Sequence, residues 1–249
     1  MKLARQVGLA RALSKLGYCS RSRACELIRA GRVTLDGRIR RDPETPVHLN
    51  QDRISVDGRS VATPGKVYLM LNKPRGVVTT TSDEKGRETV YAYVGEEQPW
   101  VAPVGRLDKA SEGLLLLTND PEWSARILAP ETHLDKTYHV QVGTVADGML
   151  LDSMRKGVKA GDGDFLRVKS ARILRGGQRN TWLEVVLDEG KNRHIRRLLA
   201  QLGVEVLRLV RVAIGPLALG ELSKGSIRRL TAEEKRALDR GSSGDSSLG

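Results

Sequence analysis

Cysteine is scarce in this sequence: only Cys19 and Cys25 occur, and their spacing fits neither a zinc site nor a disulfide framework. Four scattered histidines add no metal-ligand cluster. Long apolar runs are missing as well. No stretch approaches the roughly 20 apolar residues of a membrane span. The basic N-terminus, Met1 to Gly8, lacks the apolar core of a signal peptide. A cytoplasmic protein with no metal and no membrane anchor is therefore expected. Acidic residues are also in deficit, 30 Asp and Glu against 42 Lys and Arg, for a formal net charge of +12 and a pI near 10.0. That imbalance predicts a polyanionic partner, either nucleic acid or an anionic membrane surface. No internal repeat is present.

The 249 residues suffice for one large domain or two modest ones, at about 150 residues per domain. Charge divides them unevenly. Residues 1–60 hold 13 Lys and Arg against 6 Asp and Glu, so +7 of the total +12 lies in a quarter of the chain. Leu9, Leu13 and Leu16 fall at helical spacing, with Gly17 as a stop. Ser20 then caps a second helix that turns Ala24, Leu27 and Ile28 inward and ends at Gly31. Val33 to Leu35, the Asp36-Gly37 turn and Arg38-Ile39 read as a hairpin, and Arg53 to Val56 ends in another Asp-Gly turn at Asp57-Gly58. Arg21, Arg23, Arg29 and Arg32 cluster on and just after the second helix. A charge cluster is usually a solvated face, but one so poor in balancing acids tracks phosphates more naturally.

Residues 61–65 form a linker, and 66–240 a second domain. It opens with a strand over Lys66 to Asn72, the turn Lys73-Pro74-Arg75-Gly76 and a second strand over Val77 to Thr80. Ser82 to Arg87 is a polar loop. Leu114 to Thr118 read as a strand buried on both faces. The loop before it carries Arg106, Asp108, Lys109, Ser111 and Glu112 between Gly105 and Gly113. A polar loop fixed to a buried strand is where catalytic groups are usually held, although a solvated surface loop fits these residues too. Asp120 and Pro121 start a helix to Leu128, with Trp123, Ile127 and Leu128 inward. A strand over Lys136 to Val145 sets Tyr138, Val140 and Val142 on its apolar face, where spacing alone makes Tyr138 a core residue. A helix over 148–156 and strands over Phe165 to Leu174 and Thr181 to Leu187 follow. Glu189 to Arg197 opens a helix with the stripe Ile195, Leu198, Leu199 and Leu202, closed by Gly203; Arg193, Arg196 and Arg197 lie on a neighbouring face. Residues 241–249 have the Gly/Ser composition of a disordered tail.

Four stretches carry a resemblance. Ser20 to Gly37 (S-R-S-R-A-C-E-L-I-R-A-G-R-V-T-L-D-G) resembles the S4 RNA-binding domain. G-R-L-D-K-A-S-E-G-L-L-L-L-T-N-D (Gly105 to Asp120), L-N-K-P-R-G-V-V and E-G-K-N-R-H-I-R-R resemble the motifs of the RsuA/RluB/RluE/RluF-type ribosomal RNA pseudouridine synthases. The last departs from the family pattern at His194, usually Gln, and at Leu198, usually Met. The resemblance implies an α+β chain: a small S4-like domain at 1–60, then a pseudouridine-synthase domain with a mixed, mainly antiparallel sheet and a central cleft. It makes Asp108 the catalytic aspartate and places Arg196 against it. A guanidinium there holds a carboxylate ionised and fixes its direction. Tyr138 stacks on the target base and is a candidate general base, Arg106 fills the gap left by the flipped uridine, and Leu207 and Leu209 floor the base pocket. Lys73, Lys191, Arg193 and Arg197 join Arg21, Arg23, Arg29 and Arg32 as RNA-binding residues.

The implied reaction breaks the bond from ribose to uracil N1, turns the base and rejoins it through C5. It involves no redox change and no external leaving group, so no cofactor or metal is expected. A carboxylate serves at ribose C1′ or uracil C6, a base removes the C5 proton, and the uridine leaves its stack. The expected partner is ribosomal RNA, or a ribosome-assembly intermediate, leaning to the large subunit, and the protein is taken as a monomer. The alternative is a non-catalytic S4-type RNA-binding or ribosome-assembly factor, which leaves the three motifs of the second domain unexplained. A methyltransferase would need a Gly-rich turn after a strand, and Gly161 to Asp164 lacks that setting. Nucleotide-binding signatures of a tRNA synthetase are absent.

Overall fold

Local signals fix the elements at the start of the chain. The computed structural model describes residues 6–49, 51–62, 65–80, 85–95, 98–132, 134–161 and 163–241. These divide into two compact units, one drawn from 1–68, 94–102 and 117–122, the other from 69–93, 103–116 and 123–249. Residues 63 and 64 of the expected linker, 82–84 of the polar loop and 242–249 of the expected tail lie outside the described residues; Gly241 closes the last helix instead.

The first unit runs β1 (Val7–Gly8), α1 (Leu9–Lys15), α2 (Arg21–Arg29), β2 (Val33–Leu35), β3 (Arg38–Arg40), β4 (Pro46–Val47), β5 (Ile54–Val56) and β6 (Arg59–Ser60). The Ser20 hydroxyl accepts the Arg23 N–H at 3.1 Å, satisfying a donor that the first turn of α2 leaves open. Both Asp-Gly pairs have positive φ at each residue, +50° and +77° at Asp36-Gly37 and +49° and +76° at Asp57-Gly58. That is the geometry of a two-residue hairpin turn whose twist matches its strands. The strands order as β3-β2-β5-β6. Val33, Leu35, Ile54 and Val56 join Leu9, Leu13, Leu27 and Ile28 in one buried cluster. Each such side chain contributes about 1.5–3 kcal/mol through its burial. Cys19 is buried and free, its thiol pushed up to about 11 by desolvation, and half-buried Cys25 is also free.

The second unit holds, wholly or for most of their length, β7 (Tyr68–Lys73), β8 (Ala102–Val104), β9 (Glu112–Thr118), α3 (Pro121–Leu128), β10 (Lys136–Val142), α4 (Gly148–Lys156), β11 (Val158–Lys159), β12 (Phe165–Leu166), β13 (Ser170–Gly176) and β14 (Thr181–Leu187). They continue with α5 (His194–Gln201), β15 (Val206–Ile214), β16 (Leu217–Ala218), β17 (Ile227–Arg229) and α6 (Ala232–Gly241). The main sheet orders as β13-β14-β10-β15-β9-β7-β17. β10 pairs antiparallel with β14 and β15, β13 with β14 and β17 with β7, while β15 and β9 run parallel. The sheet is therefore mixed and mainly antiparallel. Leu114 to Leu117 are fully buried at its centre, as the unbroken leucine run demands. Val140, Val142, Leu183 and Val185 pack with Leu151 and Met154 of α4 and with Ile195, Leu198 and Leu199 of α5. No helix among the described residues is long and apolar enough to cross a membrane.

Several sequence-based boundaries shift, each for a local reason. The strand over Phe165 to Leu174 splits into β12 and β13, because Val168 donates to the Met154 carbonyl and Lys169 to that of Val186. The strand over Val77 to Thr80 reduces to a single bridge, Val78 to Thr89. β7 starts at Tyr68, since the Val67 N–H donates to the Asn119 side chain. β10 ends at Val142. Leu128 is 49% exposed, not inward, at the last turn of α3.

Where β9 meets β15, Gly113 stands opposite Arg211 with φ +101°, and a Cβ there would lie 2.2 Å from the Arg211 carbonyl oxygen. Nothing but hydrogen fits. Gly113→Ala combines a disfavoured φ with a backbone clash, so its expected loss is at least about 2 kcal/mol. Urea unfolding checks this, and an unchanged midpoint would contradict the close approach.

Candidate active site

The loop between β8 and β9 is held through its backbone. Five successive carbonyls each accept a hydrogen bond: Leu107 from the Thr79 hydroxyl (2.8 Å), Asp108 from the Ser111 N–H (2.9 Å), Lys109 from the Gly76 N–H (2.7 Å), Ala110 from Arg196 Nη2 (3.1 Å) and Ser111 from Lys73 Nζ (2.8 Å). Against this fixed backbone, the half-buried Asp108 carboxylate makes no hydrogen bond or ion pair with the described residues. It faces a cavity of about 440 Å³, within the range of about 300–1,000 Å³ usual for ligand clefts. Arg106, Tyr138, Lys191 and Arg193 line the same cavity, as does Leu209; Leu207 does not. The expected catalytic aspartate, base-stacking tyrosine and intruding arginine thus share one cleft.

Lys73 takes a different place from the one expected. Its exposure is 0%, and its ammonium donates to the carbonyls of Pro74 (2.9 Å), Val77 (2.8 Å) and Ser111 (2.8 Å). It cannot meet RNA. Burial pulls its pKa down to about 8, with Glu112 and Asp108 acting the other way. Three carbonyl acceptors match the three N–H groups of the protonated form, so the charge is spent on tying the 74–77 turn to the acidic loop.

Arg196 stands close to Asp108 without pairing with it directly. Its guanidinium spans Ala110 O and Val206 O at 3.1 and 3.2 Å, and its Nε is buried without a partner. Burial lowers its pKa, as does the neighbouring Arg193, while Asp108 raises it. Arg196 thus steadies the loop and supplies the nearby positive charge. Arg193 takes a left-handed φ of +48° just before α5, which brings its side chain to the cleft. Lys191 donates to Phe165 O at 2.8 Å, and Arg197 to Asn192 O and Asp164, so both are partly committed inside the protein. His194, the departure from the family pattern, is 3% exposed; its Nε2 lies 2.8 Å from Arg167 O and burial lowers its pKa.

Glu112, the first residue of β9, is 2% exposed and bound by Arg208 (3.1 Å to each oxygen) and Lys224 (2.6 Å). Burial pushes its carboxyl up, yet the two cations hold it below its ordinary value. The sequence reading missed Lys136 and Arg211, which also line the cleft. Arg211 is 6% exposed, donates Nε–H to Leu114 O at 2.8 Å and leaves Nη2 buried and unpartnered, a cost of about 1–3 kcal/mol or more for a charged group. Spacing marks neither one; Lys136 opens the K-T-Y segment and Arg211 lies in the Val206 to Gly220 stretch, both of which resemble the family, but that resemblance gave roles only to Tyr138, Leu207 and Leu209. Among the described residues, no cluster of His, Cys, Asp and Glu could hold a metal.

In the first unit Arg21, Arg23, Arg29 and Arg32 are all exposed. Arg23 pairs with Glu26 at 2.7 Å, and Arg32, just before β2, holds Asp57, just after β5, with two hydrogen bonds. Arg21 and Arg29 carry no side-chain partner among the described residues.

The sequence model of RNA pseudouridylate synthases matches residues 67–201, and that of the S4 domain matches residues 7–54. The chain belongs to the RNA pseudouridylate synthase family and is an RNA-modifying isomerase with an S4 RNA-binding domain at its N-terminal end. It is similar to a protein of Aquifex aeolicus (strain VF5) named as an uncharacterized RNA pseudouridine synthase, 39% identical and covering 94% of each chain. It is also similar to the ribosomal large subunit pseudouridine synthase B of Bacillus subtilis (strain 168), 33% identical over 92% of this chain and 94% of that one. A crystal structure of a pseudouridylate synthase superposes with a TM-score of 0.65 at 28% identity, over 93% of this chain and 99% of the other.

Two outcomes follow from these contacts. Lys73→Met orphans two buried acceptors and a half-buried one and should destabilise the protein by roughly 3 kcal/mol, read as a lower denaturant midpoint. A midpoint equal to wild type would exclude the carbonyl cage. Replacing both Arg21 and Arg29 by Ala should reduce the slope of log K against log salt for RNA binding by roughly 1.4–1.8, at about 0.7–0.9 per phosphate contact. An unchanged slope would show that α2 does not track phosphates.

Proposed function

We propose that the protein converts a uridine of ribosomal RNA, in the large subunit, to pseudouridine, with Asp108 as the reacting carboxylate. The observation that supports this is a contrast in one loop: the five carbonyls of 107–111 are each tied, whereas the Asp108 carboxylate is tied to nothing among the described residues, inside a cleft lined by cations. Such a group meets the needs of an oxygen that reacts at ribose C1′ or uracil C6, because its direction is set before substrate arrives. Tyr138 offers its ring to the flipped base and its hydroxyl as a candidate base for the C5 proton. Arg106, exposed at the same cleft, takes the space that the base vacates. Arg196 holds the loop and keeps positive charge near the reacting carboxylate.

The division of labour follows the charge. Residues 1–60 grip phosphates without reading sequence, and residues 66–240 carry the reaction. The name of the Bacillus subtilis relative supports the large subunit. Pseudouridine mapping of rRNA from cells with and without the protein should reveal one or a few large-subunit sites that depend on it. Complementation with Asp108→Asn should leave those sites unmodified while the purified variant still folds and binds RNA. Turnover by that variant would remove Asp108 from the reaction, and a lost site in small-subunit RNA would move the target.

A further inference from the structure

Lys136 and Arg211 form a second charged group in the cleft that none of these roles uses. Lys136 opens β10, Arg211 lies in β15, and Arg211 is the register partner of Tyr138. All three line the one cavity. Lys136 makes no hydrogen bond or ion pair among the described residues; Asp135, itself taken by Lys169 at 2.7 Å, and Asp188 favour its charge, but burial and Arg211 outweigh them. Arg211 spends only its Nε–H, on Leu114 O, and keeps the rest of its guanidinium unpartnered. Two like charges with unspent donors, side by side in a partly dry cleft, repel each other until an anionic oxygen joins them.

Depth decides which oxygen. Arg106 and Arg193 are exposed, whereas Arg211 is 6% exposed among the buried Leu209, Leu187 and Ile214. The phosphates of a flipped nucleotide stay with the backbone outside, and its base reaches the closed end. We propose that Lys136 and Arg211 receive a carbonyl oxygen of the target uracil and hold the negative charge that grows on it during the reaction. This rests on the function proposed above. Charge reaches that oxygen by either route. If the C1′–N1 bond breaks first, its electron pair stays with uracil and spreads over N1, O2 and O4. If an Asp108 oxygen adds to C6, the C5–C6 pair moves onto C5 and O4. On the first route C5 uses that pair to bond to C1′, displacing any Asp108 oxygen held there, then the C5 proton passes to a base and N1 takes one up. On the second, C5 bonds to C1′ as the N1–C1′ pair leaves on N1, which takes up a proton, and loss of the C5 proton to a base expels the Asp108 oxygen from C6.

Lys136→Met is the direct test, since its ammonium touches no protein partner and its loss should leave folding intact. Single-turnover tritium release from rRNA transcripts labelled at uridine C5 should slow on the order of 10²-fold, with RNA affinity unchanged. Arg211→Lys, which keeps the charge but not the fork, should slow it by a smaller factor. A short hairpin around the uridine that wild type modifies separates the two kinds of oxygen. Replacing O2 or O4 of that uridine with sulfur should slow wild type and leave Lys136→Met little further to lose. A methylphosphonate beside it should slow both proteins by the same factor. An unchanged Lys136→Met rate overturns the proposal. So does a loss of affinity alone, or coupling to the methylphosphonate instead of the sulfur, which would make the pair a phosphate contact. A wild-type enzyme inactive on every rRNA transcript would instead defeat the function on which the proposal rests.

Discussion

The order of the acidic loop depends on where its backbone oxygens go. Five carbonyls in a row, from Leu107 to Ser111, are each claimed by a donor, and four of those donors come from other segments: Lys73, Gly76, Thr79 and Arg196. Each bond alone is worth about 1 kcal/mol net, yet a buried carbonyl left without one costs more than that. The loop therefore has one arrangement that satisfies all five and many that fail several. Rigidity at 107–111 is settled at folding, and the Asp108 carboxylate inherits a fixed bearing without spending a hydrogen bond of its own. Pre-set geometry of this kind removes an entropic cost from the chemical step.

Charge is handled in two opposite ways around that loop. Glu112 is buried but saturated by Arg208 and Lys224, so its position is structural. Asp108, four residues earlier, is left open. The same division holds for the cations. Lys73 is consumed by three carbonyls, whereas Arg211 and Lys136 keep donors in reserve. Neighbouring charges of the same type are thus spent on the protein in one place and left open in another, and residue type alone does not tell them apart.

That is also where the sequence stops being legible. Signals of short range survived translation into structure: the Ser20 cap, both Asp-Gly turns, the buried leucine strand and the apolar stripe of α5. Each depends on neighbours within a few residues. The family motifs located the cleft because they encode long-range information that spacing lacks. Lys73 was misread because a lysine beside Pro-Arg-Gly in a turn looks solvated, while one of its acceptors, Ser111 O, lies 38 residues away. Leu128 was misread because a helix stripe does not say where its last turn leaves the core. Arg196 was placed near the right residue but on the wrong atom, since a guanidinium takes a carbonyl as readily as a carboxylate. Lys136 and Arg211 lie in stretches that resemble the family, but spacing gave neither a role.

The parallel pairing of β9 with β15 carries one more consequence, in time. Its contacts join residues nearly a hundred positions apart, Arg211 to Leu114 across 97 and Arg208 to Glu112 across 96, and Arg196 of α5 reaches Ala110, just before β9, across 86. Chains are made from the N-terminus at about 5–20 residues per second, and distant pairings close slowly. The helix pair rich in arginine is complete after some thirty residues, but the cleft has no floor until residue 214 has been added. The core that α1 and α2 share is complete once Val56 has been added. A growing chain therefore finishes its S4 domain more than 150 residues before its cleft.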